Sequence, residues 1–306
     1  MEFLANVLIG IIIASTPLVF AAIGELVVEK SGVLNLGVEG MMIVGAIAGF
    51  ATLIGTGNHA LALLAAAAGG MVMALLFAVV TQNLLSNQVA SGLALTLFGL
   101  GVSALWGQSY SGLSAGPFPR LHIPGLTDLP IIGKLLFGQD LMVYLSVALA
   151  AAVSWFLTRT RSGLILRAVG ENHDAAHAIG YPVVAIRTLA LLFGGACAGL
   201  GGAYLSLVQT PLWVEKMTAG RGWIALALVV FAAWKPWRAL LGAYLFGGIT
   251  ILQLHAQGLG VKVAAQYLSM LPYLATIIVL VLISRDRRQL QFNAPASLGK
   301  VFYAST

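Results

Sequence analysis

The feature that most constrains this chain is a succession of nine apolar runs, at about residues 4–24, 37–55, 60–82, 90–107, 141–158, 188–209, 222–234, 239–255 and 265–284. A helix needs roughly 20 apolar residues to cross the hydrocarbon of a bilayer, and most of these runs reach or approach that length. The run at 222–234 is short for a full span. Only 8% of the 306 residues are charged, against about a quarter in an ordinary soluble domain. That leaves too little polar surface to coat a water-soluble globule. The runs lack the period-two alternation of a membrane barrel, and a segment alone in lipid must satisfy its own backbone hydrogen bonds. The predicted fold is an all-α integral membrane protein. A single domain over 1–306 forms a polytopic helical bundle of about 8–10 transmembrane helices with broken or re-entrant segments.

The connections sort by charge. Arg159, Arg161, Arg167 and Arg187 fall in the segment 159–187, Lys235 and Arg238 in a short turn, and Arg285, Arg287 and Arg288 at the head of the tail 285–306. Together they are nine of the sixteen basic residues. Simple alternation of the last five spans puts all three places on one side, which the positive-inside rule makes the cytosol, with the C-terminus there. The net charge of +6 is explained in this way and points to no nucleic acid. The first run has neither a basic n-region nor an A-x-A-like site and reads as a span rather than a cleaved signal. One cysteine, Cys197, permits no internal disulfide. On the opposite side, the connection 108–139 carries four prolines and suits a docking surface or a structural lid.

Several chemistries find no support. No G-x-x-x-x-G-K-S/T motif is present, so the chain does not bind ATP through a P-loop. GLSAG at 112–116 matches the nucleophile-elbow pattern but lies in an irregular loop rather than a strand–turn–helix. His173 and His177 share a helix face at metal-pair spacing without a third ligand nearby, and read as a solvated helix surface. Glu25, Glu29, Glu39 and Glu215 all fall near span ends, where they do not make the mid-membrane relay of an ion-coupled pump. In GGACAGLGGA, Gly194, Ala198 and Gly202 form one small face and Gly195, Gly199 and Ala203 another, a signal for close helix packing.

Two patterns point to transport. AVGENHDAAHAIGY (168–181) has Asn172 as an N-cap, Asp174 in the first turn, Gly180 to close the C-terminus and Pro182 as a stop. It predicts a short helix between spans, with an alanine surface at Ala175, Ala176 and Ala178 flanked by arginines, suited to a partner's groove. The stretch 26–45 places Glu29, Lys30 and Glu39 around a hinge broken by Ser31, Gly32, Asn35, Gly37 and Gly40. Asn35 can cap a helix from Leu36 with Glu39 in its first turn. A second break, MTAGRGW (217–223), precedes the short run, and SNQVASG (86–92) brings Asn87, Gln88 and Ser91. Broken backbone in a membrane survives where it is buried in protein or lines a watery cavity, and broken helices are where transporters hold substrate.

Three ordered stretches carry a family resemblance: GELVVEKSGVLNLGVEGMMIVGA, GENHDAAHAIGY and GRGWIALALVVFAAWKPWRALLGAYLFGG. Over about residues 15–285 the chain resembles the permease subunits of bacterial ATP-binding cassette (ABC) importers. The closest branch is that for simple sugars and nucleosides, related to ribose-type and branched-chain amino-acid permeases. His173 stands where the resemblance leads one to expect proline. The resemblance implies the ABC importer permease fold in a bacterial cytoplasmic (inner) membrane. It implies a coupling helix at Glu171–Gly180 that inserts into a separate ATPase, with Glu171, Asn172, Ala175, Ala176 and Gly180 as coupling residues. A pathway would run past Asn35, Glu39, Asn87, Ser91, Arg221 and Trp223. The implied partners are the ATPase, a second permease or a second copy of this chain, an extracytoplasmic substrate-binding protein and membrane lipid. ATP and Mg would be held in the ATPase, with no cofactor or metal and no catalysis in this chain. A nucleoside, stacked by Trp106, Trp223 or Tyr204, is the expected solute, ahead of a simple sugar. An ion-coupled secondary transporter and an intramembrane enzyme are the rival readings.

Overall fold

The computed structural model describes residues 2–122, 124–125, 127, 132–258, scattered positions within 267–281, and 293–303. The ninth run, 265–284, falls largely outside the described residues. Among those described, seven helices are long and apolar enough to cross a membrane, and an eighth apolar helix is shorter. The elements are α1 (Glu2–Lys30), α2 (Val38–Thr56), α3 (His59–Ala78), α4 (Gln88–Gly107), α5 (Ile132–Phe137), α6 (Leu141–Arg159), α7 (Arg161–Glu171), α8 (His173–Ala178), α9 (Val183–Tyr204), α10 (Arg221–Phe231) and α11 (Pro236–Gly258). Two π turns, Val79–Asn83 and Leu205–Gln209, extend α3 and α9 and end them at polar connections.

Local chemistry starts most of these helices. Asn58 Oδ1 accepts the N–H groups of Ala60 and Leu61 at 2.9 and 3.2 Å, and α3 follows. Asp140 accepts from Val143 to start α6, and Thr160 from Gly163 to start α7. Each cap satisfies one or two of the donors that a helix start leaves open. Helix α1 runs six residues further than its apolar run, through Glu25 and Glu29 to Lys30. Both carboxylates are buried, and both accept hydrogen bonds from other elements.

Helix α9 is the axis of the bundle, packed against α1, α2 and α3 by its glycines. A Cβ at Gly194 would meet the Val28 side chain at 2.3 Å, one at Gly195 the Gly70 carbonyl at 2.5 Å, and one at Gly202 the Met42 carbonyl at 1.8 Å. The two predicted small faces thus serve different neighbours. Gly194 faces α1 and Gly202 faces α2, while Gly195 and Gly199 face α3. At Gly195 and Gly202 backbone lies on backbone, and dispersion replaces the missing hydrophobic drive between helices in lipid.

In the connection 108–139, Ser114 Oγ donates to the Pro211 carbonyl at 3.2 Å and Ala115 N–H donates to the same oxygen at 3.0 Å. The serine of GLSAG thus pins the loop. Phe118 packs edge-on against His59, with centroids 4.9 Å apart.

Candidate functional site

The chain leaves α1 at Lys30 and turns back into the bundle without helix. Asn35 is fully buried; its backbone N–H and Nδ2 donate to the two oxygens of Glu25 at 3.3 and 3.2 Å. Glu25 lies five residues before the end of α1, about 7 Å along its axis, so the hinge re-enters by roughly that depth. Asn35 Oδ1 accepts from Gly37 N–H at 3.0 Å. This corrects the expected cap: α2 starts at Val38 with Gly37 as N-cap and no side-chain cap bond. Asn35 instead closes a turn two residues upstream, a geometry its short amide favours.

Two other elements, α4 and α10, hold the hinge. Leu34 N–H donates to Gln88 Oε1 at 2.8 Å, while the Leu36 carbonyl accepts from Thr96 Oγ1 at 3.1 Å and from Trp223 Nε1 at 3.4 Å. Glu39 completes the knot. One of its carboxylate oxygens accepts Gly220 N–H at 2.7 Å and the other accepts Gly222 N–H at 2.6 Å. A charge on the first turn of α2 therefore caps the start of α10, where open donors and the helix dipole both favour an anion. Gly222 permits the approach, since a Cβ there would lie 2.5 Å from Glu39 N. Helix α10, with 11 residues, spans about 16 Å, roughly half the hydrocarbon thickness.

The three polar breaks read from the sequence thus meet at one place, through particular members. Asn35, Glu39, Gln88 and Trp223 take part, joined by Thr96, which sequence reasoning missed because a lone threonine within an apolar helix carries no local signal. Asn87 is exposed, and its Oδ1 accepts from Ala90 N–H as the N-cap of α4. Ser91 lies one turn further on, half-buried. Tyr204 is fully buried with its hydroxyl donating to Asp140, so it is not open to stack on a solute. Trp223 and Trp106 are 45% and 43% exposed and do remain open.

Arg221 lines a different feature, a cavity of about 380 Å³ between α1, the end of α9, α10 and α11. Gln209, Arg221, Thr250 and Gln253 supply its polar atoms, and Leu18, Ile224 and Phe246 are among its apolar walls. Among the described residues nothing bonds to Gln209 Oε1, although that atom is shut off from solvent.

At the end of the bundle where the basic connections cluster, α8 forms as its caps predict. Asn172 Oδ1 accepts from Ala175 N–H at 3.0 Å, and Gly180, at φ +91°, closes the helix with its N–H on the His177 carbonyl. The predicted alanine surface is corrected at one position. Ala176 is buried with Val169, Val183 and Phe302, so the outward face consists of Ala175, Ala178 and Ile179. Ile179, 72% exposed, is the apolar residue that the sequence reading passed over. Glu171, Asn172 and Gly180 are exposed beside it.

His173 also departs from expectation: it is buried rather than solvated. Arg187 Nη2 donates to its Nδ1 at 3.1 Å, and Nε2 lies 3.5 Å from Asp174 Oδ1. A guanidinium only donates, so Nδ1 is the acceptor and the proton sits on Nε2. Burial, and then the charge of Arg187, hold the His173 pKa below its ordinary 6.5; Asp174 pulls the other way and Lys300 adds a smaller push downward. Because the folded value is depressed, the stability this seat contributes is full above the ordinary value and is lost as pH falls below it. The melting temperature of the purified protein is expected to drop between about pH 7 and about pH 5, and to drop less in His173→Gln. An equal drop in the variant would place the titration elsewhere.

The sequence as a whole matches known proteins. Residues 7–281 match the family model described as branched-chain amino acid transport system / permease component. A protein of Haloferax volcanii named as a candidate glucose ABC transporter permease is 42% identical, over 92% of each chain. A nucleoside ABC transporter permease protein of Lactococcus lactis is 35% identical over 89% of this chain and 90% of its own. A guanosine ABC transporter permease protein of Bacillus subtilis is 32% identical over 91% and 92%. A bundle of apolar helices with broken segments at its centre and a capped short helix at its basic end is thus matched by a family that covers most of the sequence, and the chain belongs to the branched-chain amino acid transport system / permease component family as a membrane permease subunit of the ABC-transporter type.

Proposed function

We propose that this chain forms part of the translocation pathway of an ATP-driven importer in a bacterial cytoplasmic membrane, carrying a nucleoside. The basic end, α8 and the C-terminus face the cytosol. There Glu171, Asn172, Ala175, Ala178, Ile179 and Gly180 meet an ATPase that holds ATP and Mg. A second permease, related or identical, completes the pathway, and an extracytoplasmic binding protein delivers the solute. The observation that carries this reading is α8, a rigidly capped knob with an apolar outward face at the end that the positive-inside rule assigns to the cytosol.

The solute class is argued from the cavity beside Arg221. It offers a donor, two side-chain amides and a hydroxyl on one hand and Phe246 with aliphatic walls on the other. Such a mixed lining suits a base joined to a polyhydroxyl ring. Asn35 and Glu39 serve the pathway as structural ties of the hinge and α10, whereas Asn87 and Trp223, which are exposed, and Ser91, which is half-buried, are the members of the three breaks left to meet solute. A second reading, a simple sugar, is favoured by the name of the 42% identical relative. Uptake of labelled guanosine, uridine, ribose and glucose, in cells lacking their own carriers and expressing the complete importer, separates the two. Nucleoside accumulation that is lost with this chain is expected. Accumulation of sugar alone would overturn the nucleoside assignment.

A further inference from the structure

Arg187, on the first turns of α9, is fully buried. Its Nε donates to the Ser31 carbonyl at 3.2 Å, Nη1 to the Lys300 carbonyl at 3.1 Å and Nη2 to His173 Nδ1 at 3.1 Å. These acceptors belong to three pieces that are remote in sequence: the hinge after α1, the C-terminal segment and α8. A guanidinium is a planar fork of fixed geometry, so it holds the three at set mutual distances. Gly32, at φ +90°, makes room, since a Cβ there would lie 2.9 Å from Arg187 Nη2.

The segment Asn293–Tyr303 lies across the same joint as a strap. Ser297 N–H donates to the Gly170 carbonyl at 2.9 Å and Ser297 Oγ to the Glu171 carbonyl at 3.2 Å, at the end of α7. Gly299 N–H donates to the Gly32 carbonyl at 3.1 Å, and Lys30 Nζ to the Asn293 carbonyl at 2.6 Å, at the hinge. Phe302 is buried among Val169, Ala176 and Val183, with its ring edge-on to His173 and His177 at centroid distances of 5.4 and 5.2 Å. The end of α7 also packs directly on the hinge, for a Cβ at Gly170 would lie 2.1 Å from the Lys30 carbonyl. Moving α8 alone would strand a buried guanidinium and break charge-assisted bonds in a site closed to water, which is strongly unfavourable.

We propose that Arg187, backed by the strap Asn293–Tyr303, is the positioning residue that makes α8 and the Ser31–Gly37 hinge one rigid body. A displacement of α8 is thereby delivered to the hinge and, through Glu39, to the start of α10. The inference rests on the reading of α8 as the element that meets the ATPase. Its claim is that the strap stays closed while the importer works.

The test uses the complete importer in proteoliposomes, with ATPase co-purification, ATP hydrolysis and solute carried per ATP as separate readouts. In Arg187→Lys and Phe302→Ala, ATPase association and basal hydrolysis are expected to stay within about twofold, while solute carried per ATP falls about tenfold, within the usual range of coupling effects. Unchanged transport per ATP, or hydrolysis and uptake falling in proportion, would overturn the proposal. Because Arg187→Lys can fail to fold, the pair Lys30→Cys and Asn293→Cys in a Cys197→Ala background provides an independent arm, away from the residues that meet the ATPase. Joined by a short thiol cross-linker, the strap and the end of α1 are expected to transport at the uncrosslinked rate. Loss of transport on cross-linking would show that the strap must open, and would sink the rigid-body claim. Failure of the unmodified chain to retain an ATPase would instead remove the reading of α8 itself.

Discussion

Replacing Glu39 with alanine is expected to lower folding stability by about 3–5 kcal/mol, the combined effect of losing two charge-assisted bonds and leaving one buried and one half-buried donor unmet. Both bonds are short, at 2.7 and 2.6 Å, and both join α2 to the first turn of a helix too short to hold itself in place. Glu39→Gln should fall between the wild type and alanine, because its amide keeps one acceptor and turns an N–H toward a donor. Thermal unfolding in detergent, followed by tryptophan fluorescence, measures the series. Wild-type melting of Glu39→Ala would mean that the carboxylate does not anchor α10. It would then be free to face the solute, as the broken-helix pattern alone suggests.

Ile179→Asp is expected to leave stability within about 0.5 kcal/mol, as for exposed surface changes, yet to weaken ATPase association at least about thirtyfold, the loss typical of a central apolar anchor. Ala176→Asp should behave in the opposite order. Its side chain is enclosed by Val169, Val183 and Phe302, so a carboxylate there disrupts the fold before any partner is met. Pull-down with the purified ATPase and melting curves on both variants distinguish an outward face from a core position. Equal ATPase binding by wild type and Ile179→Asp would remove Ile179 from the contact.

What could be read in advance follows the range of the interactions. Each cap of α8 bonds a group three residues away, Asn172 to Ala175 and Gly180 to His177, so both ends are legible in the sequence. The short α10 was visible too, because a glycine break and a brief apolar run are local facts. Glu25 and Glu29 gave a false end to α1, since the partners that let helix continue through them are Asn35, 10 residues on, and Trp234, 205 residues on. Glu39 was placed correctly in a first turn. The helix it caps, however, begins 181 residues away. His173 was misjudged for the same reason: Arg187 and Phe302 bury it, and neither stands beside it in the chain. Glycine spacing in α9 announced close packing without saying which neighbour each face would meet.

On the proposed function, this permease moves solute only when a separate ATPase displaces α8. Uptake into sealed proteoliposomes measures it most directly, comparing the chain alone under proton and sodium gradients with the assembled importer supplied with ATP, Mg and its binding protein. The expected result is no uptake by the chain alone under any gradient, and uptake by the assembly that stops when hydrolysis is blocked. Gradient-driven uptake by the chain alone would contradict it.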